Sequence, residues 1–301
     1  MELRHLRSFL AVAEELHFGR AAEKLHIDQS PLSRTIKELE EEIGVHLFVR
    51  TTRSTQLTRA GRMFLHHIPR VFAALEQACD SVKSVKNGFH GQLRIALSDG
   101  ITPSRLPALL AQCREEYPEV EVKLFEVSLA QQIKGLQDHL YDAGFSMAED
   151  AGEGISVKPA WKDELMVAVP SRHPVLAYKQ IPLEEVLRYP LALCDPGVCE
   201  GHARQVDRIL RRHEQEPMIA QFVATYEVMM TLVSAGLALG LAGAAHIAAS
   251  REPGVVARPL AGKPPILTTY LMHLNEEPSD VLARLIEWVT FFDSTDAVEN
   301  S

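Results

Sequence analysis

The chain has 301 residues with 46% apolar and 24% charged side chains, more than a single small core needs and far from a disordered composition. Its net charge of −9 is unevenly spread: residues 1–90 hold 13 Lys/Arg against 11 Asp/Glu, which leaves −11 for the remainder. No apolar run reaches the roughly 18 residues of a membrane helix, the start Met1-Glu2-Leu3-Arg4 does not read as a signal peptide, and four scattered cysteines do not make a disulfide framework, so a cytoplasmic protein with reduced thiols is expected.

Leu3, Leu6, Leu10 and Ala13 recur at helical spacing, with Phe9 and Leu16 widening the stripe, and predict an amphipathic helix over residues 3–14. A short helix follows over Gly19 to Leu25, then the turn His26-Ile27-Asp28. The next helix takes Asp28 or Ser30 as N-cap and Pro31 in its first turn, with Leu32, Ile36, Leu39 and Ile43 as its apolar stripe and Gly44 as its stop. Gln29, Ser30, Ser33, Arg34 and Lys37 then share the opposite face. Those side chains suit a major groove, because Gln pairs with adenine, Ser bonds base edges or phosphate, and Arg and Lys reach guanine or the backbone. Spacing alone also allows a helical hairpin with a merely solvated polar face. Against that reading, Leu47-Phe48-Val49-Arg50 and Gln56-Leu57-Thr58 flank a polar tip containing Arg53, which predicts a hairpin wing.

From Thr58 to about Lys86, Phe64, Ile68, Val71, Leu75, Ala78, Val82 and Val85 repeat in steps of four and three. That is a heptad seam, which either joins two chains or packs on its own. Pro69 inside it predicts a kink. A homodimer would place two reading helices on an inverted repeat of half-sites.

Beyond the turn residues Asn87-Gly88 and Gly91, strand-like and helix-like segments alternate. Strands are expected over Gln92–Leu97, Val120–Val127, Ala143–Met147, Glu164–Pro170, Leu191–Cys194, Ile219–Val223 and Ile266–His273. Helices are expected over Thr102–Glu116, Leu129–His139, Gly201–His213 and Tyr226–Ala235, which together predict an α/β fold with a mostly parallel sheet. Ligands of such sheets settle beyond the carboxyl ends of strands. Ser98 and Thr102 after the first strand, Ser128 after the second, Asp195, Val198 and Cys199 after a later one, and Thr225 before a helix are the candidate cleft residues. Each by itself also reads as a helix cap.

The run GRAAEKLHIDQSPLSRTIKELEEEIGVHLFVR followed by LTRAG resembles the DNA-binding signature of LysR-type transcriptional regulators, and SRHPVLA and LVSAGLALGLAG echo later segments of that family. The resemblance implies a winged helix-turn-helix over 1–58, a dimerisation helix over 59–87, and a two-lobed, periplasmic-binding-protein-like effector domain over 88–301. Its lobe I would take 88–162 and 267–301, and its lobe II 163–266. It implies Gln29, Ser30, Pro31, Ser33, Arg34 and Lys37 at the groove, His17 and Arg20 near the DNA backbone, Arg50 and Arg53 in the wing, and Phe64, Ile68, Val71, Leu75 and Val82 in the dimer seam. The implied partners are double-stranded promoter DNA, a small-molecule effector, further copies of the chain up to a homotetramer, and RNA polymerase.

An enzyme is not expected. Gly144-Phe145-Ser146-Met147-Ala148 half-matches the G-x-S-x-G elbow, and Cys194, Cys199 and His202 lack a fourth ligand for a closed metal site. No metal or cofactor is expected. The competing readings are a thiol-based redox regulator using Cys199 with Cys194, and a small-molecule-binding protein that does not touch DNA.

Overall fold

The computed structural model describes residues 1–50, 55–86, 91–100, 105–211, 215–250 and 252–299, and the chain divides into two compact units, Met1–Cys79 and Asp80–Ser301. The expectations for Arg53 and Thr102 lie outside the described residues.

In the first unit, helices α1 (Leu3–Glu15), α2 (Phe18–Lys24) and α3 (Gln29–Ile43) surround a core of Leu6, Phe9, Val12, Ala21, Leu32, Ile36 and Leu39. Gly44 ends α3 at φ +80, a conformation that favours glycine. Strands β1 (Phe48–Arg50) and β2 (Thr55–Leu57) pair antiparallel as the wing. Buried Glu40 fixes the wing's start by accepting hydrogen bonds from the amides of Leu47 at 2.7 Å and Phe48 at 3.0 Å. Helix α4 (Arg59–Lys86) begins with Thr58 as cap, its hydroxyl accepting from the Gly61 amide at 2.9 Å, and it runs as one helix through Pro69.

The heptad seam divides. Phe64 packs, partly buried, against the first unit's own core and Ile68 is buried in it, 2% exposed, so Ile68 faces its own chain where the resemblance implied a dimer seam. Val71, Leu75 and Val82 remain 44%, 37% and 73% exposed.

The second unit alternates β3 (Gly91–Leu97), α5 (Leu106–Glu116), β4 (Val120–Glu126), α6 (Leu129–Gln137), β5 (Ala143–Ser146) and β6 (Ile155–Pro170), then α7 (Leu183–Val186), β7 (Leu191–Cys194), α8 (Glu200–Leu210), β8 (Ile219–Val223) and α9 (Tyr226–Ser234). It ends with β9 (Leu239–Gly243), α10 (Ala244–Ala249), β10 (Val255–Pro259), β11 (Ile266–Leu274) and α11 (Asp280–Glu299). The strand order is β4-β3-β5-β11-β6-β9-β7-β8, with β10 also paired to β6. Parallel pairs β3–β4, β3–β5, β7–β8 and β7–β9 form the heart of each lobe.

Strand β6 joins the lobes. Its first part pairs antiparallel with β11, and its last part, Leu165–Ala168, pairs with β9. Sequence reading began this strand only at Glu164, because Lys158, Pro159, Lys162 and Asp163 interrupt its apolar pattern. The chain absorbs Pro159, which has no N–H to donate, where the β11 register shifts between Thr269 and Tyr270. Two separate cores lie on either side, one around Leu93, Ile95, Phe145 and Trp161 and the other around Leu165, Val167, Leu191 and Leu239.

Candidate functional site

Two places concentrate polar side chains that folding leaves at a surface: the outer face of α3 and the cleft between the lobes. On α3, Gln29, Ser30, Pro31, Arg34 and Lys37 are exposed and Ser33 is half-buried, while Leu32, Ile36 and Leu39 on the other face are buried. Lys37 lies 3.4 Å from Glu41 one turn on. Among the described residues no hydrogen bond or ion pair engages Arg34.

The flanking residues have structural duties as well. His17 caps α2, its Nδ1 accepting from the amides of Gly19 at 3.1 Å and Arg20 at 3.2 Å, so Nε2 carries the hydrogen and is left to donate outward. Arg20 holds the Glu15 carboxylate at 3.3 Å and its carbonyl at 2.6 Å. Asp28 occupies the N-cap position of α3, yet its side chain makes no capping hydrogen bond, which corrects the expectation of a capping aspartate.

The interlobe cleft encloses about 580 Å³ and is lined by the ends of β3 and β4, the starts of α6 and α9, and the loop before α8. It brings together Ser98, Ser128, Val198, Cys199 and Thr225, five of the residues singled out from sequence. Asp195 does not join them. Its side chain turns back on its own loop and accepts from the Gly197 amide at 2.7 Å.

Most polar groups in the cleft wall are already engaged. Ser128 and Gln131 form a reciprocal capping box, and Thr225 accepts from the Val228 amide at 3.3 Å. Asp99 holds the floor from a left-handed backbone at φ +61. Its carboxylate accepts from the Ser146 hydroxyl at 2.6 Å, the Met147 amide at 2.9 Å and, across the lobe boundary, the Gly201 amide at 2.7 Å. Ser146 is therefore a buried donor in a strand, not an exposed nucleophile.

Helix α8 is bonded to the other lobe along its length. Gln205 Nε2 donates to the carbonyls of Met147 at 2.6 Å and Thr268 at 2.8 Å, its Oε1 accepts from the Thr268 amide, and Arg208 pairs with Glu149. Gly201 permits that approach: a Cβ there would stand 2.4 Å from Ala148 N. Sequence reading missed Asp99, Gln205 and Gly201 as a group, because their partners lie tens of residues away.

Beside the cleft, His202 meets Tyr226 edge to face and Tyr226 meets His246 tilted by 32°, with ring centroids 5.4 Å and 4.0 Å apart. Burial pushes His202 down to about 3 and also lowers His246. Cys194 and Cys199 are both buried, Cys199 Sγ donates to the Ala224 carbonyl at 3.7 Å, and the interaction between the two thiols lowers Cys199 and raises Cys194. With 1% of its surface exposed, Cys199 offers an oxidant little access. Among the described residues, no group of three or more His, Cys, Asp or Glu is arranged to hold a metal ion, and no helix is long and apolar enough to cross a membrane.

Comparison with known proteins bears on both places. Residues 3–62 match the family model for the bacterial regulatory helix-turn-helix protein, lysR family, and residues 86–291 match the LysR substrate binding domain. The chain is 35% identical over 242 residues to the HTH-type transcriptional regulator YnfL of Escherichia coli (strain K12), covering 80% of this chain and 82% of that one. It is 32% identical over 293 residues to the HTH-type transcriptional regulator IlvR of Caulobacter vibrioides, covering 96% and 98%. Among solved structures, full-length CbnR complexed with its target DNA superposes with a TM-score of 0.72 at 28% identity, covering 96% of this chain and 99% of that one.

Proposed function

The chain belongs to the LysR family of bacterial helix-turn-helix regulators, and we propose that it is a promoter switch in which α3 reads the major groove and the interlobe cleft takes a small-molecule effector. The observation that carries the reading is the two-sided character of α3. Leu32, Ile36 and Leu39 anchor one face in the core, while Gln29, Ser30, Arg34 and Lys37 are exposed on the other, Lys37 paired with Glu41. His17 Nε2 and Arg20 at the start of α2, with the wing, would contact phosphates and set the register.

Val71, Leu75 and Val82 supply the apolar strip by which α4 would pair with a second copy, and two copies would present two α3 helices to an inverted repeat. Family membership extends this to a tetramer and to contact with RNA polymerase. In the cleft, an effector would compete with or reinforce the bonds that tie α8 to lobe I. A ligand that favours one arrangement of the lobes shifts the population of oligomer states and with it the spacing of the reading heads.

The test is a gel shift of the full-length protein on the intergenic DNA upstream of its own gene, with scrambled competitor and a salt series. Specific binding that weakens with salt is the expected result. Failure to prefer any sequence, there and in a genome-wide selection, would remove the regulator reading in favour of a ligand-binding protein that does not touch DNA.

A further inference from the structure

The N-cap of α3 carries an exposed carboxylate that makes no capping hydrogen bond. At an N-cap, an aspartate normally folds back onto the amide of the second or third helical residue. Here those residues are Ser30 and Pro31, and proline has no N–H to donate. That removes one of the two donors, the Ser30 amide makes no bond to the carboxylate either, and the Asp28 side chain is left uncapping and exposed.

Its backbone is nevertheless held in place. The Leu32 amide donates to the Asp28 carbonyl at 3.4 Å, and the preceding turn is closed by the Ile27 amide donating to the Ala22 carbonyl at 3.0 Å. Several other acids of this unit face a cation, Glu15 meeting Arg20, Glu14 meeting Lys24 and Glu41 meeting Lys37, whereas the exposed Glu23, like Asp28, has no such partner among the described residues. Among the described residues no hydrogen bond or ion pair engages the Asp28 carboxylate.

We propose that Asp28 is a specificity-determining residue that reads an exposed amino group in the major groove, with cytosine as its match. The inference rests on α3 lying in that groove. An ionised carboxylate can only accept hydrogen bonds. Guanine presents two acceptors on its major-groove edge and thymine an acceptor and a methyl group, so both oppose it. Adenine sets an acceptor beside its amine, whereas the edge of cytosine offers the N4 amine alone.

The same charge repels phosphates, so Asp28 lowers affinity for every duplex and returns it only where the amine is present. Specificity then comes from rejection as much as from attraction.

The experiment is selection from a randomised duplex library by the full-length protein, comparing wild type with Asp28→Asn and Asp28→Ser, and with Gln29→Ala and Arg34→Ala as controls. Wild type is expected to prefer cytosine about five-fold or more at one position of each half-site. Both Asp28 variants should lose that preference, with asparagine turning toward adenine, and should bind scrambled duplex several-fold more tightly at the same salt.

Base preferences of Asp28→Asn and Asp28→Ser that match wild type at every position would overturn the proposal. If the controls alter those preferences while the Asp28 variants do not, the groove reading stands and only this inference fails. If no variant alters them, both fail.

Discussion

On α3 the polar side chains stand on a dry interior: Leu32, Ile36 and Leu39 are fully buried, and Arg34 and Asp28 on the outside have no partner among the described residues. In the cleft the reverse holds. Asp99 gathers donors from two segments distant in sequence, one in each lobe, Ser128 and Thr225 cap helices, and Gln205 clips α8 to β11 and to the segment after β5. A surface built the first way can change its chemistry without disturbing the fold. A surface built the second way couples ligand, lobe arrangement and stability, which is the property a switch needs.

That contrast is sharpest at Asp99. Asp99→Ala abandons the buried amides of Gly201 and Met147 and the Ser146 hydroxyl, and each such orphaned donor costs about 1–3 kcal/mol. The expected loss for the C-terminal unit is therefore of order 3 kcal/mol or more. Both tryptophans, Trp161 and Trp288, lie in that unit, so urea denaturation followed by tryptophan fluorescence reports on it alone. An unchanged midpoint would break the comparison. Gly201→Ala should act in the same direction, because backbone atoms of Met147 and Ala148 block the added carbon and α8 must shift, at a cost of about 1–3 kcal/mol.

The next effect is a pH dependence. His202 is fully buried, neither ring nitrogen has a hydrogen-bond partner, and burial holds its pKa at about 3. The unfolded chain takes up that proton near pH 6.5, so stability is complete above 6.5 and is lost as pH falls toward 3. At pH 5 this residue alone should remove about 2 kcal/mol. His202→Phe keeps a ring edge-on to Tyr226 and cannot titrate. Between pH 7 and 5 its unfolding midpoint should fall less steeply than that of the wild type. Identical slopes would show that His202 holds its proton equally in both states.

Legibility followed the range of the interactions. The three N-terminal helices, the wing and the Gly44 stop could be read because periodicity, caps and turn residues act within a few positions. The same local signals placed the strands at Leu191–Cys194 and Ile219–Val223 and put Ser98, Ser128, Cys199 and Thr225 at one cleft. They gave no sign that Asp99 would meet Gly201, 102 positions on, or that Gln205 would meet Thr268. A heptad spacing does not say whose core it faces, and α4 answers differently at its two ends: Ile68 goes inward on its own chain and Val82 is exposed. Helix α11 was not read at all, although Leu282, Leu285, Trp288 and Val289 close the core of lobe I.

The smallest expected change in stability is the most telling for the DNA-facing side. Arg34→Ala removes an exposed side chain with no partner, so its unfolding midpoint by far-ultraviolet circular dichroism should stay within about 0.5 kcal/mol of wild type. Affinity for a specific duplex should fall at least five-fold, since a bidentate contact to guanine is worth about 1–3 kcal/mol. The salt series separates the two ways of losing it. If Arg34 reads a base, the loss is confined to specific DNA and one position of the site relaxes. If it pairs with phosphate, binding weakens on every sequence and the salt slope falls by about one. A stability loss comparable to that of Asp99→Ala would mean that α3 is built like the cleft, with its polar face serving the fold.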